Sequence, residues 1–249
     1  MSGLVSLVGA GPGDPELLTV RAVNRLREAD LVLHDALVPA AVLALAGRAR
    51  LFYVGKRAGR HSIDQDTIHK LMIRAARRGE RVVRLKAGDP FVLGRGGEEA
   101  LALGAAGIAY EVVPGLSSAI AGPALAGIPV THRGMATGFA VISGHAEAAY
   151  APIIDGLAPG SLTLVVLMGL GTRAAIAARL VARGWAATTP AAIILGASQP
   201  DETVWTGTLA TLAEPTFEAE LPGILVIGQV VSLADVIGKP QAQIAERYA

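Results

Sequence analysis

The chain has no cysteine, only 4% aromatic residues and almost no charge imbalance, with 22 lysines and arginines against 21 aspartates and glutamates. The missing cysteines exclude disulfides, thiolate metal ligands and cysteine nucleophiles, and no metal site is expected; a cytoplasmic location is compatible with that absence. Scarce aromatics argue against an aromatic-rich sandwich. A formal net charge of +1 leaves no electrostatic footprint for nucleic acid. Long apolar runs are missing too. The stretch Leu31 to Leu45 is broken by His34, Asp35 and Pro39, and Leu162 to Leu170 is too short to span a bilayer. The opening MSGLVSLVGAGPG carries no basic leader and reads as a first strand, not a signal peptide. No HExxH, GxSxG or paired-carboxylate hydrolase pattern occurs.

What is present is small and branched: 52% of the 249 residues are hydrophobic, enough for one large or two medium α/β domains. Apolar runs at Leu4 to Val8, Leu31 to Leu33, Leu51 to Val54, Val82 to Leu85 and Ile108 to Val113 alternate with helical patterns, as βα units around a mostly parallel sheet do. Ser62 and Gln65 form a capping-box pattern ahead of Ile68, Leu71, Met72 and Ala75, and Gly79 ends that helix. Periodicity lapses over Pro129 to Thr137 and new strands follow at Phe139 to Ile142, Leu162 to Met168, Ala191 to Leu195 and Ile224 to Ile227. An Ala-rich helix from Thr172 to Arg183 closes at Gly184. The expected organisation is an N-terminal α/β domain over residues 1–133 and a C-terminal α/β domain over 134–249, with a ligand cleft between them.

The most informative segment is RVVRLKAGDPFVLGRGGEE, Arg81 to Glu99. A β-branched strand runs into a Gly-Asp-Pro turn and a second glycine-rich turn, bringing Asp89, Arg95, Glu98 and Glu99 close to a strand end, where open α/β sheets bind ligands. Taken alone, an Asp-Pro turn is usually only a turn. A second turn, VGAGPGD at Val8 to Asp14, follows the first strand and invites a dinucleotide reading, but Asp14 stands where the third glycine belongs and Pro12 removes a backbone donor. A carboxylate there would repel pyrophosphate. Asp35, roughly 20 residues on, keeps the dinucleotide alternative open. Gly55-Lys56 is followed by Arg57, which excludes a P-loop. A glycine-proline turn that avoids phosphate suits a nucleoside with a cationic or zwitterionic tail, such as S-adenosylmethionine, held by carbonyls and by acids such as Asp89. Basic side chains also gather in loops: Lys56, Arg57, Arg60, His61, Arg95, His132, Arg133 and His145. Arginine pairs with carboxylates through two hydrogen bonds, so this set favours a small substrate with many carboxylates.

In its strings VGAGPGDPELLTVRA, LVLHDALV, VGKRAG, RLKAGDPFVLGRGGEE, VVPGLSSAIAGPALAGIPVTHRG, SGH and VVLMGL, in that order, the chain closely resembles the tetrapyrrole methyltransferase family, specifically the uroporphyrinogen-III C-methyltransferases. The resemblance runs nearly end to end. It implies transfer of two methyl groups from S-adenosylmethionine to uroporphyrinogen III, giving precorrin-2 and S-adenosylhomocysteine, by a homodimer whose protomers have two α/β domains. By position it places the cofactor at Pro12, the Ala87-Gly88-Asp89 turn, Val92, Ser117 and Ser118, and at Met168 and Ala197. It puts Asp35 and Lys56 where the family's proton acceptor and donor are proposed. Arg57, Arg95, Arg133 and His145 are then expected to hold substrate carboxylates, with Glu98 orienting Arg95, and Arg95 is a further candidate for proton transfer. Ala87 in place of a common glycine, Leu93 in place of a common phenylalanine, and LGAS at 195–198 depart from the pattern on the adenine side. No fused dehydrogenase or chelatase domain is expected in this length.

Overall fold

The computed structural model describes residues 3–55, 63–217 and 221–237. It divides into two compact units, Met1–Ser118 and Ala119–Ala249.

In the first unit, strands β1 (Val5–Gly9), β2 (Leu31–His34), β3 (Arg50–Tyr53), β4 (Val82–Lys86) and β5 (Tyr110–Val113) form one parallel sheet in the order β3-β2-β4-β1-β5. Helices α1 (Val20–Glu28), α2 (Ala40–Leu43), α3 (Gln65–Arg77) and α4 (Gly96–Ala105) connect them. One face of the sheet packs Leu7, Leu33 and Val82 against Ile68, Met72 and Leu103 of α3 and α4. The other packs Val8, Val32, Val83 and Leu85 against Ala22 and Leu26 of α1 and Val42 of α2. Burial on both faces is why β1, β2 and β4 read as apolar runs, whereas β3 is exposed along its length. The expected capping box is replaced: Asp64 caps α3, accepting from the Thr67 backbone and hydroxyl at 2.7 and 3.1 Å, and Ser62 lies outside the described residues. Aspartate at that position also places negative charge at the positive end of the helix.

The second unit begins with α5 (Ser118–Leu125), whose first residue closes the preceding unit, and continues with β6 (Phe139–Ser143), α6 (Glu147–Gly156), β7 (Thr163–Leu167), α7 (Arg173–Ala182), β8 (Pro190–Leu195), β9 (Thr203–Thr208), β10 (Gly223–Ile227) and α8 (Ala234–Ile237). Its sheet runs β6-β7-β10-β8-β9, and only β6 and β7 are parallel. The strand-helix alternation expected of this half therefore gives way after α7 to an antiparallel β8-β9-β10 arrangement. The aperiodic Pro129 to Thr137 segment lies inside this unit, because Ala119, Ile128 and Ala136 share a core with Val165, Ile194 and Val226.

Candidate functional site

At the carboxyl ends of β1, β4 and β5, three sequence-distant turns meet. Gly11 and Gly88 exchange backbone hydrogen bonds, Gly11 N–H to Gly88 O at 3.2 Å and Gly88 N–H to Gly11 O at 2.7 Å, and Ala10 N–H donates to Lys86 O at 2.7 Å. Gly88 takes a φ of +67°, and a β-carbon there would touch Ser118 Oγ at 3.4 Å. Glycine is the residue that adopts that conformation without strain. The Asp89 carboxylate fastens two of the turns: Oδ1 accepts from Phe91 N–H at 2.8 Å and Oδ2 from Gly115 N–H at 3.1 Å. Pro12, Ala87, Gly88, Asp89, Ser117 and Ser118 are thus brought to one edge of the first sheet, with Val92 following on the same loop. Leu93 and Arg95 hold left-handed conformations at φ +54° and +60°, a strain of about 1–3 kcal/mol each that clusters where function constrains backbone.

The turn after β1 does not open a helix. Asp14 Oδ1 accepts from Glu16 N–H at 2.8 Å and closes a short 3-10 turn, Pro15–Leu17, and α1 starts only at Val20 under a Thr19 cap. The glycine turn after β1 is therefore not followed directly by the α-helix N-terminus that a dinucleotide fingerprint places there. What remains is uncharged backbone, two serines and one carboxylate, a donor and acceptor set that fits a nucleoside with a sulfonium and an ammonium group better than a phosphate.

Next to these turns lies a group of charges that includes two cations the sequence reading did not single out. Arg84 and Lys86 stand at alternate positions of β4, on the face begun by Val82, and both are buried together with Glu99 of α4. Arg84 Nε donates to Glu99 Oε1 at 2.9 Å and Nη2 to Asp35 Oδ1 at 2.6 Å, while Nη1 reaches the Leu33 and Leu85 carbonyls at 3.5 and 3.3 Å. Lys86 Nζ donates to the same Glu99 oxygen at 3.1 Å and lies 3.9 Å from Asp35 Oδ2. Burial lowers the proton affinity of Arg84, but Asp35 and Glu99 outweigh it and the guanidinium pKa is raised. Lys86 goes the other way, lowered first by burial and then by Arg84. The available signal was two cations at alternate positions of a strand whose neighbours are all apolar. Glu99, grouped with Asp89, Arg95 and Glu98 by sequence proximity, instead turns away from them into this network.

Arg95 is exposed and paired bidentately with Glu98, Nε to Oε1 at 2.9 Å and Nη2 to Oε2 at 2.7 Å, so the expected orienting contact is present. Lys56, Arg57, Arg60 and His61 lie outside the described residues. Met168, Ala197, Arg133 and His145 belong to the second unit. Because β7 and β8 both run antiparallel to β10 and β6 is parallel to β7, the turns after β6, β7 and β8 share one end of that sheet. Gly144 N–H donates to Leu167 O at 2.8 Å, and Ser143 Oγ contacts His145 Nδ1 at 2.8 Å. Met168 is exposed with φ +57°, while Ala197 is buried between Gly196 and Ser198, at φ +57° and +65°. Arg133 is exposed in the turn closed by His132 and Ala136. Among the described residues no helix is long and apolar enough to cross a membrane.

Comparison with known proteins agrees with this geometry. A siroheme synthase of Gluconobacter oxydans is 46% identical over 92% of this chain and 50% of its own length, and the chain spans about half the length of the other siroheme synthases it matches. A uroporphyrinogen-III C-methyltransferase of Methanocaldococcus jannaschii is 45% identical over 94% of this chain and 99% of its own length. A uroporphyrin-III C-methyltransferase of Thermus thermophilus, crystallised with S-adenosylhomocysteine, superposes with a TM-score of 0.79 at 45% identity, covering 93% of this chain and all of that one. The family model for tetrapyrrole (corrin/porphyrin) methylases matches residues 4–213. With likeness of this extent in both sequence and structure, the chain belongs to the tetrapyrrole methylases.

Proposed function

We propose that the chain is an S-adenosylmethionine-dependent C-methyltransferase that adds two methyl groups to uroporphyrinogen III, giving precorrin-2, and that it works as a cytoplasmic homodimer. The observation that carries this reading is the near end-to-end likeness to the M. jannaschii uroporphyrinogen-III C-methyltransferase. The turns at the ends of β1, β4 and β5, joined through Gly11, Gly88 and Asp89, support it as a place for the cofactor.

S-adenosylmethionine, when bound, supplies an electrophilic methyl on a sulfonium. The residues assigned to it are Pro12, Ala87, Gly88 and Asp89 together with Val92, Ser117 and Ser118, and Met168 and Ala197 from the second unit. Positioning is their main contribution, since transfer needs the sulfonium, its methyl and a pyrrole carbon in line. Arg95 oriented by Glu98, with Arg57, Arg133 and His145, is assigned to the substrate carboxylates. Attack by the pyrrole carbon leaves a proton to be removed. Asp35 is assigned as its acceptor and Lys56 as the companion donor, with Arg95 a further candidate for assisting the transfer.

The test is anaerobic incubation of the purified chain with S-adenosylmethionine and enzymatically generated uroporphyrinogen III, followed by mass and absorbance. Two added methyl groups are the expected product. No methylation with S-adenosylhomocysteine binding intact by calorimetry would move the substrate to a later tetrapyrrole or a macromolecule; loss of both would overturn the assignment.

A further inference from the structure

We propose that Arg84, anchored by Glu99, is a positioning residue for Asp35. This inference rests on the methyl-transfer reading above and deepens it.

The sheet face that carries Val82, Arg84 and Lys86 changes from apolar to charged toward its carboxyl end, and the change is hidden from water. Side-chain exposure is 3% for Arg84, 4% for Lys86 and 0% for Glu99, against 30% for Asp35. Two cations and two carboxylates are therefore collected in one place, and only one of the four, Asp35, reaches the surface. Whatever order the buried three possess is delivered to that carboxylate.

The geometry of Arg84 suits this purpose. Its guanidinium is held on three sides at once, by Glu99 through Nε, by the Leu33 and Leu85 carbonyls through Nη1, and by Asp35 through Nη2. The planar fork leaves it one orientation, and the Asp35 oxygen at its end inherits it. Glu99 Oε1 in turn accepts from Arg84, Lys86 and Gln65 Nε2, the last at 3.0 Å, and so collects α3, α4 and β4 on one atom.

Fold stability alone accounts poorly for this arrangement. Buried ion pairs are often no better for stability than apolar residues of the same volume. Here Glu99 Oε2 is buried and, among the described residues, has no hydrogen-bond partner. An unmet acceptor inside a charged cluster is a local cost, and such costs are concentrated at functional sites. Charge balance supplies the remaining step. Arg84 and Lys86 are each shared between the Glu99 and Asp35 carboxylates, so Glu99 fixes where both cations stand relative to Asp35.

A double-mutant cycle tests the inference, with single-turnover methylation of uroporphyrinogen III and S-adenosylhomocysteine affinity as readouts. Arg84→Lys is expected to lower the methylation rate by about 10- to 100-fold, the range for removing an orienting partner. S-adenosylhomocysteine affinity should stay within about three-fold. In an Asp35→Asn background the same change should cost less than about three-fold, because the group it orients is already gone. An equal loss in both backgrounds, or cofactor affinity falling as far as the rate, overturns the inference. Where Arg84→Lys has no cooperative thermal transition, Glu99→Gln carries the cycle with the same criteria. A wild-type chain that methylates no tetrapyrrole overturns the proposed function and this inference with it; a wild-type chain that methylates while the cycle is additive overturns the inference alone.

Discussion

Gly9 and Gly115 meet backbone to backbone: a β-carbon on Gly9 would sit 2.5 Å from the Gly115 nitrogen, and one on Gly115 would sit 2.7 Å from the Gly9 Cα. This contact joins the end of β1 to the turn after β5 and leaves the Gly88 carbonyl between them. Gly115→Ala should cost about 1–3 kcal/mol through forced backbone movement and weaken S-adenosylhomocysteine binding, read by thermal unfolding and calorimetry. Gly97→Ala is the control. Gly97 is exposed in α4 with nothing within 4 Å of its would-be β-carbon, so alanine there should add about 0.4–1 kcal/mol by restricting the unfolded chain.

Asp89 ties the turn after β4 to the turn after β5 through two backbone N–H groups. Hydrogen bonds to a charged acceptor contribute about 1.5–3 kcal/mol each. Asp89→Ala removes both and, since the Phe91 bond is exposed to water and adds little, should lower stability by about the 1.5–3 kcal/mol of the Gly115 bond. It should also weaken S-adenosylhomocysteine binding at least ten-fold, because the two turns are no longer held at a fixed spacing. If Asp89 contributed only by facing the cofactor's cationic tail, affinity would fall and the melting temperature would not.

The different legibility of these features in the sequence has physical causes. Strands β1, β2 and β4 are covered on both sides, so their apolar runs announce them. The β9 strand, TVWTGT, is half exposed, contains a glycine and sits at an edge, and it gives neither a clean alternation nor an apolar run. Strand direction in the second sheet leaves no mark on strands buried on both faces, so β10 reads like any parallel strand. Asp89, Gly88 and Ser117 are legible as turn residues, yet the role of Asp89 as a fastener depends on Gly115, which lies far along the chain. Arg84 and Lys86 are hidden for the opposite reason. Charged residues inside a strand are ordinarily assigned to its solvent face, and only the position of Glu99 on α4 shows that they point inward.

Arg95 should matter for the substrate and little for the fold. Its pairing with Glu98 is exposed and local, and such pairs contribute little to stability. Arg95→Lys keeps the charge and loses the fork. Its expected phenotype is an unchanged melting temperature with KM for the tetrapyrrole raised about ten-fold, the effect of one lost charge-assisted hydrogen bond. An enzyme with both kcat and KM unchanged would remove Arg95 from the carboxylate-binding set.

Asp155 provides a pH-dependent check on the second unit. Its carboxylate accepts from Arg179 Nε at 2.8 Å and Nη2 at 2.6 Å and from Arg183 Nε at 2.8 Å, joining α6 to α7. Hydrogen bonds from Arg183 and then Arg179 hold its pKa well below the ordinary carboxylate range. A carboxyl depressed on folding adds stability that is present above its unfolded pKa, about 3.9, and is lost as pH falls through that value toward the folded one. Asp155→Asn should therefore melt several degrees below the wild type at pH 7, and the gap should narrow as the pH is taken below about 4. Melting curves of both proteins between pH 7 and pH 3 decide it: a gap constant across that range would show that the substitution acts through packing and not through the charge on Asp155.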